Sequence, residues 1–379
     1  MTTLTADHVA SSTAPCGLAR VAPVSPYIVA EEGYCLAVRA LADKEVYNQI
    51  ELADGAFETI REGDVIFGAL GERQALKGYS GRIPRMISPG DTLHVLNMGG
   101  ILGLSGGEHP DLGPPLAVEV LGAVVHGEPA RPARIQEHAL EGREHLAESA
   151  PLVMVSGTAM NTGKTFAAAA LVSGLSARGL RVAAAKLTGA ALQRDVRAMQ
   201  ASGAVCSASF TDAGRVATTG REVTATAKGI IAHLNGCDPD VLVLELGDGI
   251  IGPYGVDGIL RDMELQRLTA AHVLAATDLA GVWAADQIFR KQYRSELAVV
   301  VGPATDTDVG RRYIETALGV PAVNARSAPE ALADLVADAV RETAVWQRSE
   351  HARAAGGLRR PLPGLGAALA EKGEVGAGQ

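Results

Sequence analysis

The run Leu152-Val-Met-Val-Ser-Gly-Thr-Ala-Met-Asn-Thr-Gly-Lys-Thr165 constrains the fold more than any other stretch of the chain. Apolar residues of strand character pass into a loop bounded by Gly157 and Gly163, and an alanine-rich helical run, Phe166 to Ser176, follows. A phosphate-binding loop requires this order of strand, glycine-bounded loop and helix. Backbone N–H groups of the loop and of the first helical turn converge and hold phosphate oxygens. In such a loop Lys164 reaches the β- and γ-phosphates, and the Thr165 hydroxyl holds Mg²⁺. Gly157, Thr158, Asn161, Thr162 and Gly163 complete the cradle. The competing reading is a chance Gly-Lys-Thr in a surface loop; the flanking strand and helix argue against it.

A chain of 379 residues is long for one domain, and its 47% hydrophobic content supplies ample core. No apolar run reaches the roughly 18 residues of a membrane span. A formal charge of −9 argues against general nucleic-acid binding. Cys16, Cys35, Cys206 and Cys237 lack metal or redox spacing, so a reduced, cytoplasmic setting fits them best. The histidines are scattered, which speaks against a structural metal site.

Residues 1–25 are rich in Thr, Ala, Ser and Pro and read as a flexible leader. Over 26–130 short strands and turns follow one another, at 46–52, 65–70 and 92–97. The pairs Gly63-Asp64 and Gly90-Asp91 introduce two of them and point to a small β-barrel or sandwich. A basic loop carries Lys77, Arg82 and Arg85. It reads as a solvated turn or, more sharply, as a contact for an anionic substrate. Residues 131–150 read as a linker. From 151 to 349 strands alternate with helices, which requires a parallel sheet covered on both faces. Residues 350–379, rich in Ala, Gly and Pro, are expected to be a disordered tail.

Ligands bind such sheets at the carboxyl ends of the strands. One strand closes on Lys186, followed by Thr188 and Gly189; a lysine there needs an anionic partner unless it lies on a solvated edge. Another, Val241 to Leu246, is interrupted by Glu245 and followed by Gly247-Asp248-Gly249. Asp248 reads as a second metal ligand, a substrate contact or a turn cap. Mg²⁺ beside a nucleotide takes one or two carboxylates plus phosphate oxygens. Between the two strands Asp195 falls in a helical run and Asp212 in a loop, so Asp212 is the preferred ligand. Asn324, after a late strand, is placed to read an adenine edge or to hold a turn. No Asn-Lys-x-Asp run occurs, which favours ATP over a guanine nucleotide.

Gly157 stands one place earlier than in the common loop pattern. The run Gly157 to Thr165 resembles the G-T-x-x-x-x-G-K-T/S loop of dethiobiotin synthetases and of the cobyrinic and cobyric acid amidotransferase synthetases. The resemblance covers residues 151–346. It implies that Lys186 meets substrate and the transferred phosphoryl group beside Thr188 and Gly189, and that Glu245 helps hold Mg²⁺. Asp248 departs from that pattern, which has small residues there. The DUF1611 group similarly pairs such a domain with a different N-terminal one. The expected fold is thus α/β, a P-loop parallel sheet with helices on both faces, preceded by a smaller mainly-β domain. The expected activity is ATP- and Mg²⁺-dependent phosphorylation of a carboxylate or carbamate of a small-molecule substrate, ligase-like, with Lys164, Lys186 and Glu245 catalytic. The alternatives are a small-molecule kinase and a nucleotide-switch or chaperone-like NTPase. A homodimer is the expected assembly, with neither nucleic acid nor membrane as partner.

Overall fold

The computed structural model describes residues 1–127, 130–220 and 222–355, excluding the side chains of 346 and 348–355. Of the tail expected from 350, residues 356–379 lie outside the described residues, and 350–355 continue the last helix.

The first region is built of β1 (Thr2–Thr5), β2 (His8–Val9), β3 (Val21–Ser25), β4 (Cys35–Ala40), β5 (Gln49–Glu51), β6 (Phe57–Thr59), β7 (Val65–Leu70), β8 (Gly81–Arg82), β9 (Thr92–Val95), β10 (Ile101–Ser105), β11 (Leu116–His126) and β12 (Arg131–Pro132). Pairing runs β11 to β4, β7, β10 and β9, and β9 pairs back to β11, so these five strands close on themselves as a barrel. Closure removes the unpaired edges that an open sheet would expose. Alternate residues of β11 face inward, where Leu116, Val118 and Val120 are buried. Gly63 and Gly90 both take positive φ, and the following carboxylates, Asp64 and Asp91, accept the backbone N–H of Arg61 and Ser88. These are the turns anticipated from the Gly-Asp pairs.

Residues 1–25 are not a loose leader. β1 pairs antiparallel with β3, β3 pairs with β11, and β2 pairs with β7. The polar composition misleads because Ser11, Ser12 and Thr13 are buried, Ser12 donating to the Gly100 carbonyl and Thr13 to that of Ala10.

The second region runs β13 (Leu152–Gly157), α1 (Lys164–Ala177), β14 (Val182–Thr188), α2 (Arg194–Ala201), β15 (Cys206–Ser209), α3 (Thr224–Asn235), β16 (Val241–Leu246), α4 (Val256–Arg261), α5 (Met263–Leu268), β17 (Thr269–Ala275), α6 (Leu279–Ile288), β18 (Val299–Val301), α7 (Asp308–Tyr313) and α8 (Pro329–Ala355). The six strands form one parallel sheet in the order β15-β14-β16-β13-β17-β18. One face packs on α1 and α8 through Leu171, Val172, Leu332 and Val336; the other packs on α3 and α6 through Ile230, Ile231 and Val282. The late strand expected just before Asn324 makes only a single bridge, Ala322 to Val300. The cysteines, expected reduced, include a Cys206–Cys237 disulfide, and Cys16 Sγ lies 3.7 Å from Cys35 Sγ.

The two regions share buried surface. Ala191, Val216 and Ala217 pack in one cluster with Phe67, Tyr79 and Leu96. Asn97 donates to the Ala191 carbonyl at 2.8 Å. Gly99 faces the same carbonyl so closely that a β-carbon there would lie 1.8 Å from it, which only glycine avoids. Glu51, fully buried, accepts the N–H groups of Gln193 and Arg194 at 2.7 Å each. A carboxylate from the barrel thereby caps the positive end of α2, which has no cap of its own. Glu51→Ala is expected to destabilise the chain by about 1 kcal/mol or more, since it removes the acceptor of two part-buried donors at the start of α2. Urea denaturation measures this, and an unchanged midpoint would contradict the capping role.

Candidate functional site

The loop between β13 and α1 lies at the carboxyl end of the sheet's interior strands. Asn161 and Gly163 both take positive φ, turning the backbone into the helix. Gly163 is the N-cap and supplies no side-chain acceptor, so the first N–H groups of α1 point out of the helix without a side-chain cap. Lys164 Nζ donates to the Ala159 carbonyl at 2.7 Å, and Thr162 Oγ1 donates to the same oxygen. Thr158 N–H bonds to Ala275 and Gly157 accepts from Ile250 N–H, tying the loop to β17 and to the turn after β16.

Register places Val155, Glu245 and Lys186 in one row across β13, β16 and β14. Lys186 is buried and ion-paired with Asp195 in the first turn of α2. Burial alone would lower the Lys186 pKa, but the Asp195 and Glu245 carboxylates outweigh it and the net shift is upward. Burial likewise pushes Asp195 up, and Lys186 more than reverses this, leaving it below the ordinary value. Glu245 Oε1 accepts from Thr165 Oγ1 at 3.0 Å. Burial, reinforced by the Asp195 charge, pushes the Glu245 carboxyl up to about 6. Lys164 shifts downward through burial, opposed by Glu245 and Asp248.

Glu245 Oε2 is buried and has no hydrogen-bond partner. It lies in a set of oxygens, Thr165 Oγ1, Glu245 and Asp195, whose hard, anionic character suits Mg²⁺ with its remaining positions filled by phosphate and water. No group of three His, Cys, Asp or Glu among the described residues makes a metal site by itself.

Asp195, not Asp212, is the aspartate brought to Thr165. The carboxylate of Asp212 accepts the Ser209 N–H at 2.7 Å and closes the turn after β15. Thr188, proposed beside the substrate, donates to the Gly247 carbonyl at 2.8 Å and is fully buried, so it fixes the backbone after β16. Gly189 and Asp248 do line the cleft, a space of about 560 Å³. Its opposite wall comes from the barrel and includes Tyr47, Arg73 and Lys77. Arg82 and Arg85 of the basic loop are exposed and are not among its lining residues.

A smaller recess of about 160 Å³ adjoins the loop between Phe166, Pro303, Asp306 and Asn324, where Arg326 stacks 5.3 Å over the Phe166 ring. Asn324 lines it, but its amide is already used: Nδ2 donates to Asp306, and Oδ1 accepts the Arg326 and Ser327 N–H groups. It holds the turn, and Asp306 is the acceptor beside the recess. Sequence reasoning missed Glu51, whose partners in α2 are distant in the chain, and Arg73, whose partners are backbone carbonyls. Asp195 carried a signal only in its place nine residues beyond Lys186.

No protein-family model matches the chain, and no curated protein does. Among solved structures it is similar to the signal recognition particle receptor FtsY from Elizabethkingia anophelis, at 15% identity and TM-score 0.33 over 50% of this chain and 61% of that one. It is also similar to FtsY from Thermotoga maritima, at 17% identity and TM-score 0.33 over 53% and 74% of the two chains. HypB from Helicobacter pylori gives 11% identity and TM-score 0.28 over 52% and 87%. The chain thus spans about three-fifths of the first of these proteins. At such TM-scores the likeness bears no further weight, and the site is read from its own geometry.

The raised Glu245 pKa fixes the sign of a pH effect. The folded carboxyl holds its proton to about 6 and the ordinary value is 4.5, so stability from this group is present below 4.5 and lost as pH rises through 6. Without metal, wild type should lose about 2 kcal/mol relative to Glu245→Gln across that window. Thermal or urea denaturation in chelator measures the difference, and parallel pH profiles would contradict it.

Proposed function

We propose that the chain binds an adenine nucleotide with Mg²⁺ at the 157–165 loop and transfers its γ-phosphoryl group to a carboxylate or carbamate oxygen of a small molecule in the cleft. The acceptor oxygen bonds to the γ-phosphorus as the bond to the leaving ADP oxygen breaks. An amine then displaces phosphate from the activated carbonyl, which makes the reaction ligase-like. The observation that carries this reading is the convergence of two buried lysines, Lys164 and Lys186, with a partnerless oxygen of Glu245 at the mouth of the phosphate-binding loop.

Lys164 exchanges its bond to the Ala159 carbonyl for phosphate oxygens. Lys186, kept charged by Asp195, faces the charge that spreads over the transferring group. Thr165, Glu245 and Asp195 would hold Mg²⁺, which supplies charge neutralisation at the phosphates. The barrel wall excludes water from the acceptor, whose orientation is the main gain in such chemistry. Two lysines at this point favour transfer over a resting switch, which needs no second cation at the γ-phosphate.

Lys164→Ala should abolish calorimetric binding of a non-hydrolysable ATP analogue while circular dichroism stays native. Equal binding by both proteins would refute the site. Lys186→Ala should keep nucleotide binding and lower turnover about 10²-fold or more, as loss of a transition-state charge contact does. Full turnover in that variant would turn the reading towards a switch.

A further inference from the structure

Asp248 has no role in the reading so far, and its geometry is unusual for this molecule. It follows β16 at φ +71, in a left-handed conformation that non-glycine residues avoid. Its side chain lines the cleft and is 9% exposed, yet neither carboxylate oxygen meets a donor in hydrogen-bonding geometry. Turn aspartates elsewhere in the chain behave otherwise. Asp91, Asp212, Asp262 and Asp278 each accept a backbone N–H of their own turn. A buried carboxylate at positive φ is unfavourable in the ligand-free fold. The Gly249 N–H and the Lys164 and Arg73 charges offset part of that, and a donor that enters the cleft offsets more.

Arg73 belongs to the same cleft and is the complementary case. It is 3% exposed, and its guanidinium is gripped by the carbonyls of Tyr79, Leu96 and Lys77, which fix its direction without neutralising it. Among the described residues no carboxylate lies within ion-pair distance, and its Nε has no partner. The Tyr254 hydroxyl completes its surroundings from the turn after β16. Lys164 and Arg73 act on the Asp248 carboxylate without forming an ion pair with it, so a fixed cation and a buried anion stand apart in one cleft and describe a receptor for a ligand that carries both charges.

We propose that Asp248 and Arg73 are the recognition pair of the acceptor subsite, and that the acceptor is a compact amino-carboxylate. Its nitrogen donates to Asp248, and a carboxylate faces Arg73. This rests on the phosphoryl-transfer reading and narrows its substrate to the amino-acid class. It also assigns the barrel a part in specificity, since Arg73 comes from the barrel while Asp248 comes from the sheet that carries the loop.

The test uses the full chain, with and without a non-hydrolysable ATP analogue and Mg²⁺. Calorimetry is run with the twenty common α-amino acids, their D-enantiomers and β-alanine. Each is matched to the carboxylic acid of the same length lacking the nitrogen. At least one amino acid should bind saturably, its nitrogen-free match at least about tenfold more weakly. Asp248→Asn should remove that tenfold preference, and Arg73→Gln should weaken both members of the pair. Absence of binding across the panel, or an undiminished preference in Asp248→Asn, overturns the proposal. A second measurement needs no ligand: Asp248→Gly removes both the buried carboxylate and the strain, so it should raise the melting temperature. A lowered melting temperature would make Asp248 a structural residue and equally overturn the proposal. Failure of wild type to bind the nucleotide, with amino-acid binding retained, would instead count against the phosphoryl-transfer reading alone.

Discussion

The Lys186–Asp195 ion pair is the interaction on which the rest of the site depends. Taking a lysine out of water at the end of an apolar strand is unfavourable by several kcal/mol unless a carboxylate meets it. Asp195 meets it, and does so from the first turn of a helix whose own start is capped by Glu51 of the barrel. Removing any member of this chain of contacts leaves a charge or a donor buried without a partner. The pair also fixes the electrostatics of its neighbours, since Asp195 helps raise Glu245 while Lys186 lowers it. A cluster of buried, mutually dependent charges is poorly suited to stability alone, for apolar residues of the same volume would pack as well. It is suited to a ligand whose phosphates and metal complete it.

The barrel is therefore part of the site. Its five strands close on themselves through β9 and β11, and its residues line the cleft together with those of the 157–165 loop. Through Glu51 it sets the position of α2, through Asn97 and Gly99 it grips the Ala191 backbone, and through Arg73 it places a fixed cation across the cleft. The Glu51, Asn97 and Gly99 contacts cross from the barrel to the second region, so what limits relative movement of the two regions also preserves the geometry of the cleft.

Much of this was legible in the sequence where the signal is local. The loop at 157–165 announces itself because strand, glycines and helix are contiguous. Lys186 and Glu245 stand out because each charge breaks an apolar strand. Asp195 was passed over in favour of Asp212 because an aspartate in a helical run usually faces solvent; that this helix turns its first residues inward is decided by Glu51, 142 residues away from Gln193. The first 25 residues misled through composition, since their small polar side chains bond to a distant backbone that only the fold supplies. Arg73 was invisible for a related reason: its partners are backbone carbonyls, which leave no trace in residue type. The Cys206–Cys237 bond, across a separation of 31 residues, has no spacing signature either.

The most direct test of the account is the identity of the protein oxygens beside the nucleotide's metal. Mn²⁺ in place of Mg²⁺, with a non-hydrolysable ATP analogue, can be titrated onto the full chain and followed by electron paramagnetic resonance. The account predicts a bound Mn²⁺ spectrum that needs the nucleotide, is lost or strongly weakened in Asp195→Asn and Glu245→Gln, and is unchanged in Asp212→Asn. Loss of the signal in Asp212→Asn with Asp195→Asn unaffected would contradict it.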